Sequence, residues 1–479
     1  MRKLIANKNV GVALGCLLAA VLSLGTSISV SAQTSRQQTR SRWEKLVYED
    51  PKALIQETTL EIAKNPQNAF ALRMRSSAFY RNSEPEKGKA DAVAALALLK
   101  DPVTAEEFEA KCYAERRQEK YDEALLNCTR AIELDPKFAW AYYNRGKGNE
   151  GKKRNEQASA DYTKAIELSS RFHDAYTGRG YIYSLNKDHD KAIADYTKAI
   201  ELDPTRASEY ISRGHNYSQK KEYDLAIADF TQAIKLDPKN VLSYSNRGYI
   251  YSVKNDYKLA IADYTKSIEL DPKGVRVIAS RGYLYSGNKE YDKAIADYTK
   301  VIELDPKSAW AFFQRGISYH DKKEYDKAVP DLTKGIELDP KVAMAYLYRG
   351  LSYGHKQEND LAFADFSKAI ELDPKYPLTY YNRGLSYSRK NEHDLAIADY
   401  TKAIELDPVY AFAYNNRGKS YADKNENSRA IADFSKAIEL DPKHIVAYKN
   451  RAYLYETAGE KVLAEKDRLR VKELEGQPK

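Results

Sequence analysis

Cysteine, histidine and glycine are scarce in this 479-residue chain, which has three, seven and 22 of them respectively. A disulfide-built scaffold and a collagen-like chain are therefore excluded, and a zinc ribbon has no material to work with. No phosphate loop, dinucleotide fingerprint or zinc-protease helix occurs, and no cysteine or serine sits in a recognisable catalytic setting. The chain reads as a non-enzyme, without cofactor or metal site. Charge of one sign is also lacking. Residues 207–240 intersperse five basic side chains (Arg213, Lys220, Lys221, Lys235, Lys239) with five acidic ones (Glu209, Glu222, Asp224, Asp229, Asp237). Such mixing is what a solvated surface looks like, so the net charge of +8 does not point to nucleic acid. A nucleic-acid-binding solenoid stands as a weaker alternative, distinguishable by a steep salt dependence of binding.

Long apolar runs are confined to the start. Arg2, Lys3 and Lys8 precede an uncharged stretch from Val10 to Val30, which closes on the small-residue site Val30-Ser31-Ala32 before Gln33. This predicts a signal peptide over 1–32 and a mature protein in the periplasm or secreted. An uncleaved N-terminal membrane anchor is the alternative, since about 20 apolar residues can span a bilayer. The polar run from Gln33 to Arg42 reads as a flexible mature N-terminus.

What the chain has in abundance is a repeat. Asp-Pro recurs at Pro204, Pro238, Pro272, Pro306, Pro340, Pro374, Pro408 and Pro442, each 34 residues after the last. A fixed period of this length marks a stacked array in place of separate domains. With that proline as position 32, Tyr210, Gly214 and Tyr217 fall on one face of a first helix. Tyr223, Ala226, Ile227, Phe230, Ala233 and Ile234 form the stripe of a second. Gly214 and Ala226 are small where the two helices should approach most closely. Asp237 and Pro238 suit the N-cap and first position of the next helix. Neither helix can bury its stripe alone, so neighbouring units must supply the core.

The pattern resembles the tetratricopeptide repeat: small residues at positions 8, 20 and 27, aromatics at 4, 11, 17 and 24, and proline at 32. The resemblance divides the chain into a degenerate helical region at 33–104, ten repeats at 105–444 and a divergent C-terminal repeat with capping helices at 445–479. Two residues are inserted near Asn82–Glu86, because Pro66 and Pro102 stand 36 apart. What the resemblance implies is an all-α, right-handed superhelical solenoid whose first helices line a concave groove that binds a peptide or protein.

Position 7 departs from the family pattern. It is Arg in nine successive units, Arg145 to Arg417, and position 23 of the same units is Asp, from Asp161 to Asp433. In 105–138 both change together, to Lys111 and Asn127. Matched pairs on antiparallel helices predict a ladder of partly buried Arg–Asp contacts in preference to a phosphate-binding stripe. Cys112 and Cys128 occupy positions 8 and 24 of one unit; with position 8 opposite position 20, a bridge would be strained, and buried free thiols are expected. His189 and His393 stand in for aromatic core residues, whereas His320, Asp321 and His355 could converge as polar surface groups.

Positions 2, 5, 9, 12 and 13 would line the groove. Between 309 and 412 they carry an apolar set, Trp310, Phe313, Ile317, Met344, Leu347, Leu351, Leu378, Tyr381, Leu385 and Phe412. Earlier units carry Asp174, Thr177, Ser208, Ser245 and Arg276 on the same face. A contiguous apolar patch on a scaffold marks a docking site, although helix-to-helix packing would use the same residues. Pro330, inside a second helix, and Gly335, in place of Ala, predict a local kink beside it. The expectation is an exported, non-enzymatic interaction scaffold. Its alternative is an accessory subunit of an envelope enzyme or of a secretion or cell-wall assembly complex.

Overall fold

The computed structural model describes residues 34–476, so the expected signal peptide lies outside the described residues. Among them the chain is helix and turn, with no strand. Helix α1 spans 34–49 and α2 spans Pro51–Lys64. From α3 (Ala69–Arg81) and α4 (Pro85–Leu98) onward the helices come in pairs, ten of them between Ala105 and Leu440, then Ile445–Thr457 with Lys461–Glu475. The chain forms two compact units, one ending at Pro238 and one beginning at Lys239. Within each, a second helix packs on the first helix of its own pair and on that of the next, which is an α-solenoid.

The pair α11 (Ala207–Gln219) and α12 (Tyr223–Leu236) shows how each is made. Lys221, in the turn, is left-handed at φ 62°. Its N–H donates to the Ser218 carbonyl at 2.9 Å, and that of Glu222 to Tyr217 at 2.9 Å, so two carbonyls orphaned at the helix end are satisfied. The same conformation returns in each unit on a non-glycine residue, from Ser83 to Asn425, and on glycine at Gly459. A Cβ in this region costs about 1–2 kcal/mol. Those carbonyl contacts offset it.

Two expectations about connections need correcting. Asp-Pro does not start a helix. Asp271 ends one, donating its N–H to Ser267 at 2.9 Å, while its Oδ1 accepts from the Lys273 N–H at 3.1 Å. The chain needs a four-residue linker to reverse, so the next helix begins beyond the proline, at Val275. The two extra residues do not lie near Asn82–Glu86, because the α3–α4 turn has the standard left-handed residue, Ser83. They lengthen the connection from α4 to α5 (Ala105–Arg117), where Thr104 and Glu107 form a capping box. Pro330 lies inside α18, which runs continuously from Tyr325 to Leu338.

The free-thiol expectation is also overturned. Cys112 and Cys128 form a disulfide, with Cα atoms 5.3 Å apart. The error lay in the helix register. Position 24 drops its side chain directly onto position 8: a Cβ on Gly384 would stand 2.8 Å from the Tyr400 ring. Where both positions are cysteine, that close approach brings the two sulfurs together and ties α5 to α6 (Tyr121–Leu134).

The Arg–Asp ladder is present in both units. Arg281 donates from Nε to Asp297 Oδ2 at 2.9 Å and from Nη2 to Oδ1 at 2.7 Å, a two-pronged contact that a lysine could not make. Its remaining Nη1 reaches back to Thr265 Oγ1 of the preceding pair at 3.0 Å. Arg145, Arg179, Arg213, Arg315, Arg349 and Arg417 bond in the same three ways. The ladder extends beyond the nine units read from the sequence, to Arg75–Asp91 and Arg451–Asp467. Each arginine closes its own hairpin, and those with the third bond also pin it to its predecessor.

Arg281→Ala should therefore lower stability by roughly 2–3 kcal/mol, because Asp297 is left buried without its partner. Adding Asp297→Ala should cost less than the two single changes summed. Denaturant unfolding of the four proteins checks this; strict additivity would mean the pair does not interact. For the disulfide, peptide mapping without reduction should recover Cys112 and Cys128 linked, and Cys128→Ala should cost about 3 kcal/mol for a loop of this length.

Candidate functional site

In each unit, successive first helices meet along one face through positions 5 and 6. In the first unit Arg73 donates to Glu109 Oε1 at 3.0 Å from Nε, and Asn144 Nδ2 donates to the same oxygen at 2.6 Å. Arg116 Nε donates to Asn144 Oδ1 at 3.2 Å. Arg73 and Glu109 are both fully buried, and the guanidinium lies 4.4 Å from the Trp140 ring. This polar seam runs through α3, α5 and α7 (Ala139–Gly151).

Helix α1 lies across that face. The segment expected to be flexible is helical from 34 because Trp43, Leu46 and Val47, spaced i, i+3, i+4, give it an apolar stripe with somewhere to go. Trp43 stacks on Phe70 at 6.1 Å between centroids, and Tyr48 on Trp140 at 6.0 Å. At the same end Tyr48 OH donates to Asp174 at 3.3 Å, beside Arg81, which donates to that carboxylate at 2.7 Å and covers the Tyr48 ring at 4.0 Å. Burial works against the Asp174 charge, yet Arg81, with His173 and Arg206, holds its carboxyl far below the usual carboxylate range. At the other end Arg40 bonds Asp135 at 2.8 Å and Glu106 at 3.0 Å, lying 4.3 Å over Phe138. Trp140, at repeat position 2, is consequently 5% exposed.

In the second unit the same repeat position is open except at Met344. Trp310 is 41% exposed and Phe412 54%, and Leu378, Leu242 and Val446 are exposed with them. Trp310 leans edge-on against Tyr298 at 5.6 Å, which orients it without covering it. At position 9, Tyr249, Tyr283 and Tyr453 are exposed as well. Among the ten apolar residues assigned to the groove from sequence, Trp310, Leu378 and Phe412 thus face solvent.

The other seven do not form an open surface. Phe313 and Leu347 are 6% and 3% exposed, which corrects their reading as solvent-facing anchors. Position 5 lies on the seam between consecutive first helices and becomes core. The Phe313 ring rests against Gly335 where any Cβ would collide, which is why that second helix has glycine. Ile317, Met344 and Leu351 are half-buried against the same cluster. Tyr381 is half-buried between Tyr400 and Tyr410, at 6.0 and 5.0 Å, and its hydroxyl accepts from Asn416 at 2.9 Å. Leu385 is half-buried too.

His320 and His355 do converge, with ring centroids 5.8 Å apart, but as part of an aromatic stack in which Tyr325 lies on His355 at 4.6 Å. His320 Nδ1 pairs with Ser352 Oγ at 2.9 Å. Burial, reinforced by His355, lowers His320 to about 4, so the ring is neutral at physiological pH. Among the described residues no three His, Cys, Asp or Glu side chains stand together as a metal-binding group. Among the same residues, no helix is long and apolar enough to cross a membrane.

Comparison with known proteins agrees with this repeat geometry. A model described as tetratricopeptide repeat matches residues 173–206, 241–273, 309–342, 377–410 and 411–444, and a second of that description matches 141–172. A model described as TPR repeat matches 113–148, 214–254, 282–323 and 355–391. No curated protein matches the chain significantly. Among solved structures, the chain is similar to MamA, at 31% identity over 35% of this chain and 92% of that one, with a TM-score of 0.33. YrrB, described as a TPR protein with an unusual peptide-binding site, is 26% identical over 38% of this chain and 95% of its own, with a TM-score of 0.35. The Cut9–Hcn1 hetero-tetramer of the APC/C matches over 88% of this chain and 94% of its own, at 15% identity and a TM-score of 0.44. With family models matching from 113 to 444 and the helix pairs in the same 34-residue register, the chain belongs to the tetratricopeptide repeat family.

Proposed function

We propose that this protein is an exported, non-catalytic scaffold that holds a protein partner on the first-helix face of its second unit. One observation carries the reading: at repeat position 2 the indole of the first unit is covered, whereas three large apolar side chains of the second are not. Trp140 lies beneath Tyr48, whereas Trp310, Leu378 and Phe412 face water. Large apolar side chains repeated along one face of a scaffold are a docking surface. The partner that suits them is an amphipathic helix or extended segment with apolar residues along one edge. Helix α1 is a segment of that kind seated on the corresponding face.

Export is supported by the basic start, by the Val30-Ser31-Ala32 ending and by the Cys112–Cys128 disulfide, a bond that persists in oxidising compartments. The mature protein recovered from its host should then begin at Gln33 by intact mass; a chain retaining Met1 in the membrane fraction would favour the anchor.

A photo-crosslinking residue at Leu378 or Phe412 should capture the partner in the native envelope, while one at Leu395, exposed on a second helix, should not. Truncating Trp310 and Phe412 together should weaken that partner's binding at least thirtyfold, each aromatic anchor being worth about 2 kcal/mol. Because both side chains stand largely clear of the core, helicity and melting should change little. A large loss of melting temperature with unchanged affinity would overturn the assignment.

A further inference from the structure

The hydrogen bonding beneath α1 is incomplete. Arg40 Nε, Glu44 Oε1, Glu109 Oε2 and His173 Nε2 are all shut off from solvent without a hydrogen-bond partner. Arg40 and Glu44 belong to α1. Glu109 lies on the seam that α1 covers, and His173 is in ring contact with Tyr48 at 6.5 Å. Long ionic contacts remain, Arg40 Nε to Glu44 Oε1 at 3.8 Å and His173 Nε2 to Glu209 Oε1 at 3.6 Å, but neither replaces the hydrogen bonds to water lost on burial. Docking of α1 is therefore a balance: Trp43, Val47, Tyr48 and the Arg40 ion pairs favour it, and four desolvated polar atoms oppose it. Other such atoms, Tyr298 Oη and Ser420 Oγ among them, are scattered along the array, whereas these four gather at one helix.

We propose that residues 34–49 are a displaceable plug, an intramolecular ligand that covers a second helix-binding site on the first unit. The site's ligand is a helix presenting Trp, Val and Tyr at the spacing of Trp43, Val47 and Tyr48. It also carries a cation at the place of Arg40, where Asp135 and Glu106 receive it. A partner helix with a neutral residue in place of Glu44 docks better than α1 itself, because it does not desolvate a carboxylate whose nearest cation, Arg40, is already held by Glu106 and Asp135. The proposal uses this chain's own residues alone, so it stands or falls separately from the second-unit surface.

Glu44 makes the balance dependent on pH. Its carboxyl faces Arg40 on its own helix, Arg73 on α3, Glu109 on α5 and Asp135 after α6. Burial pushes it up to about 7 against the opposing influence of Arg40. A carboxyl raised in the docked state favours docking most when protonated. That contribution is complete below the ordinary glutamate range and is lost as pH rises through about 7. One Glu44 oxygen reaches solvent, so the effect is smaller than the full shift would give.

Hydrogen exchange of the intact protein at pH 8, read by mass spectrometry, tests the plug. Amides of 42–49 should exchange at least tenfold faster than those of α3, and Glu44→Gln should slow them at least fivefold while leaving α3 unchanged. A labelled peptide of residues 34–50 carrying Glu44→Gln should bind the full chain saturably, and more strongly when the chain carries Trp43→Ala with Tyr48→Ala. The same peptide with both of its own aromatics replaced by alanine should not bind. Exchange of α1 in step with α3, or peptide binding indifferent to these changes, would overturn the proposal. So would collapse of the whole first unit on Trp43→Ala with Tyr48→Ala, which would make α1 part of the core.

Discussion

The structure depends on one contact made repeatedly: an arginine at position 7 that grips the aspartate of its own hairpin and reaches back to a hydroxyl of the hairpin before. Two helices packed through aromatic and small residues could slide by a turn at little cost, since dispersion contacts are individually weak and lack direction. A planar guanidinium facing a carboxylate cannot slide, because both hydrogen bonds are lost together. Its third donor fixes the step to the preceding pair. Hairpin geometry and stacking step are thus set by the same side chain. The cost is desolvation of a charge pair in every unit, and such pairs contribute more to specificity than to net stability.

Around that contact the repeat leaves little freedom at position 8. The ring at position 24 lies against it, so glycine is needed where that residue is tyrosine or phenylalanine, as at Gly384 beneath Tyr400. The unit 105–138 solves the same problem differently. It has lost the arginine–aspartate pair, with Lys111 and Asn127 in those places, and it has a disulfide one residue along on each helix. Asn127 instead donates to Glu115 at 2.7 Å. A covalent tie between the same two helices takes over what the missing ion pair does elsewhere. It stands in the unit whose first helix contributes Glu109 to the buried seam.

The period, the helix pairs and the ladder were legible because they depend on spacing within 34 residues, which repetition writes many times over. What failed depended on contacts between units or on exact register. Position 5 reads as groove-lining from its place on the helix, but neighbouring first helices approach closely enough to bury Phe313 and Leu347. The disulfide was missed by one helical turn, although the recurring pairing of glycine at 8 with an aromatic at 24 already carried the correct register. Helix α1 was missed because ten polar residues, Gln33 to Arg42, drew attention from Trp43, Leu46 and Val47 just beyond them. Its binding face is built from residues up to 126 positions away, at Asp174, and no local pattern encodes that.

In an array whose units share one backbone, function resides where equivalent positions differ. Position 2 projects from the same place on each first helix, so its surroundings are set by what else the chain brings to that face. At Trp140 the chain brings Tyr48, and the indole becomes core. At Trp310 and Phe412 it brings, among the described residues, only a ring contact from Tyr298 and from His444, and these side chains and Leu378 remain partly in water at a standing hydrophobic cost. That cost is small for each residue, and its recurrence along one face is the informative feature. Isolated exposed leucines, such as Leu225 and Leu395 on second helices, need no explanation. A row of aromatic and aliphatic side chains at one repeat position, matched elsewhere in the chain by a Trp140 that is covered, is the feature on which the proposed docking surface rests. In the first unit helix α1 covers that position; in the proposed reading a partner does so in the second.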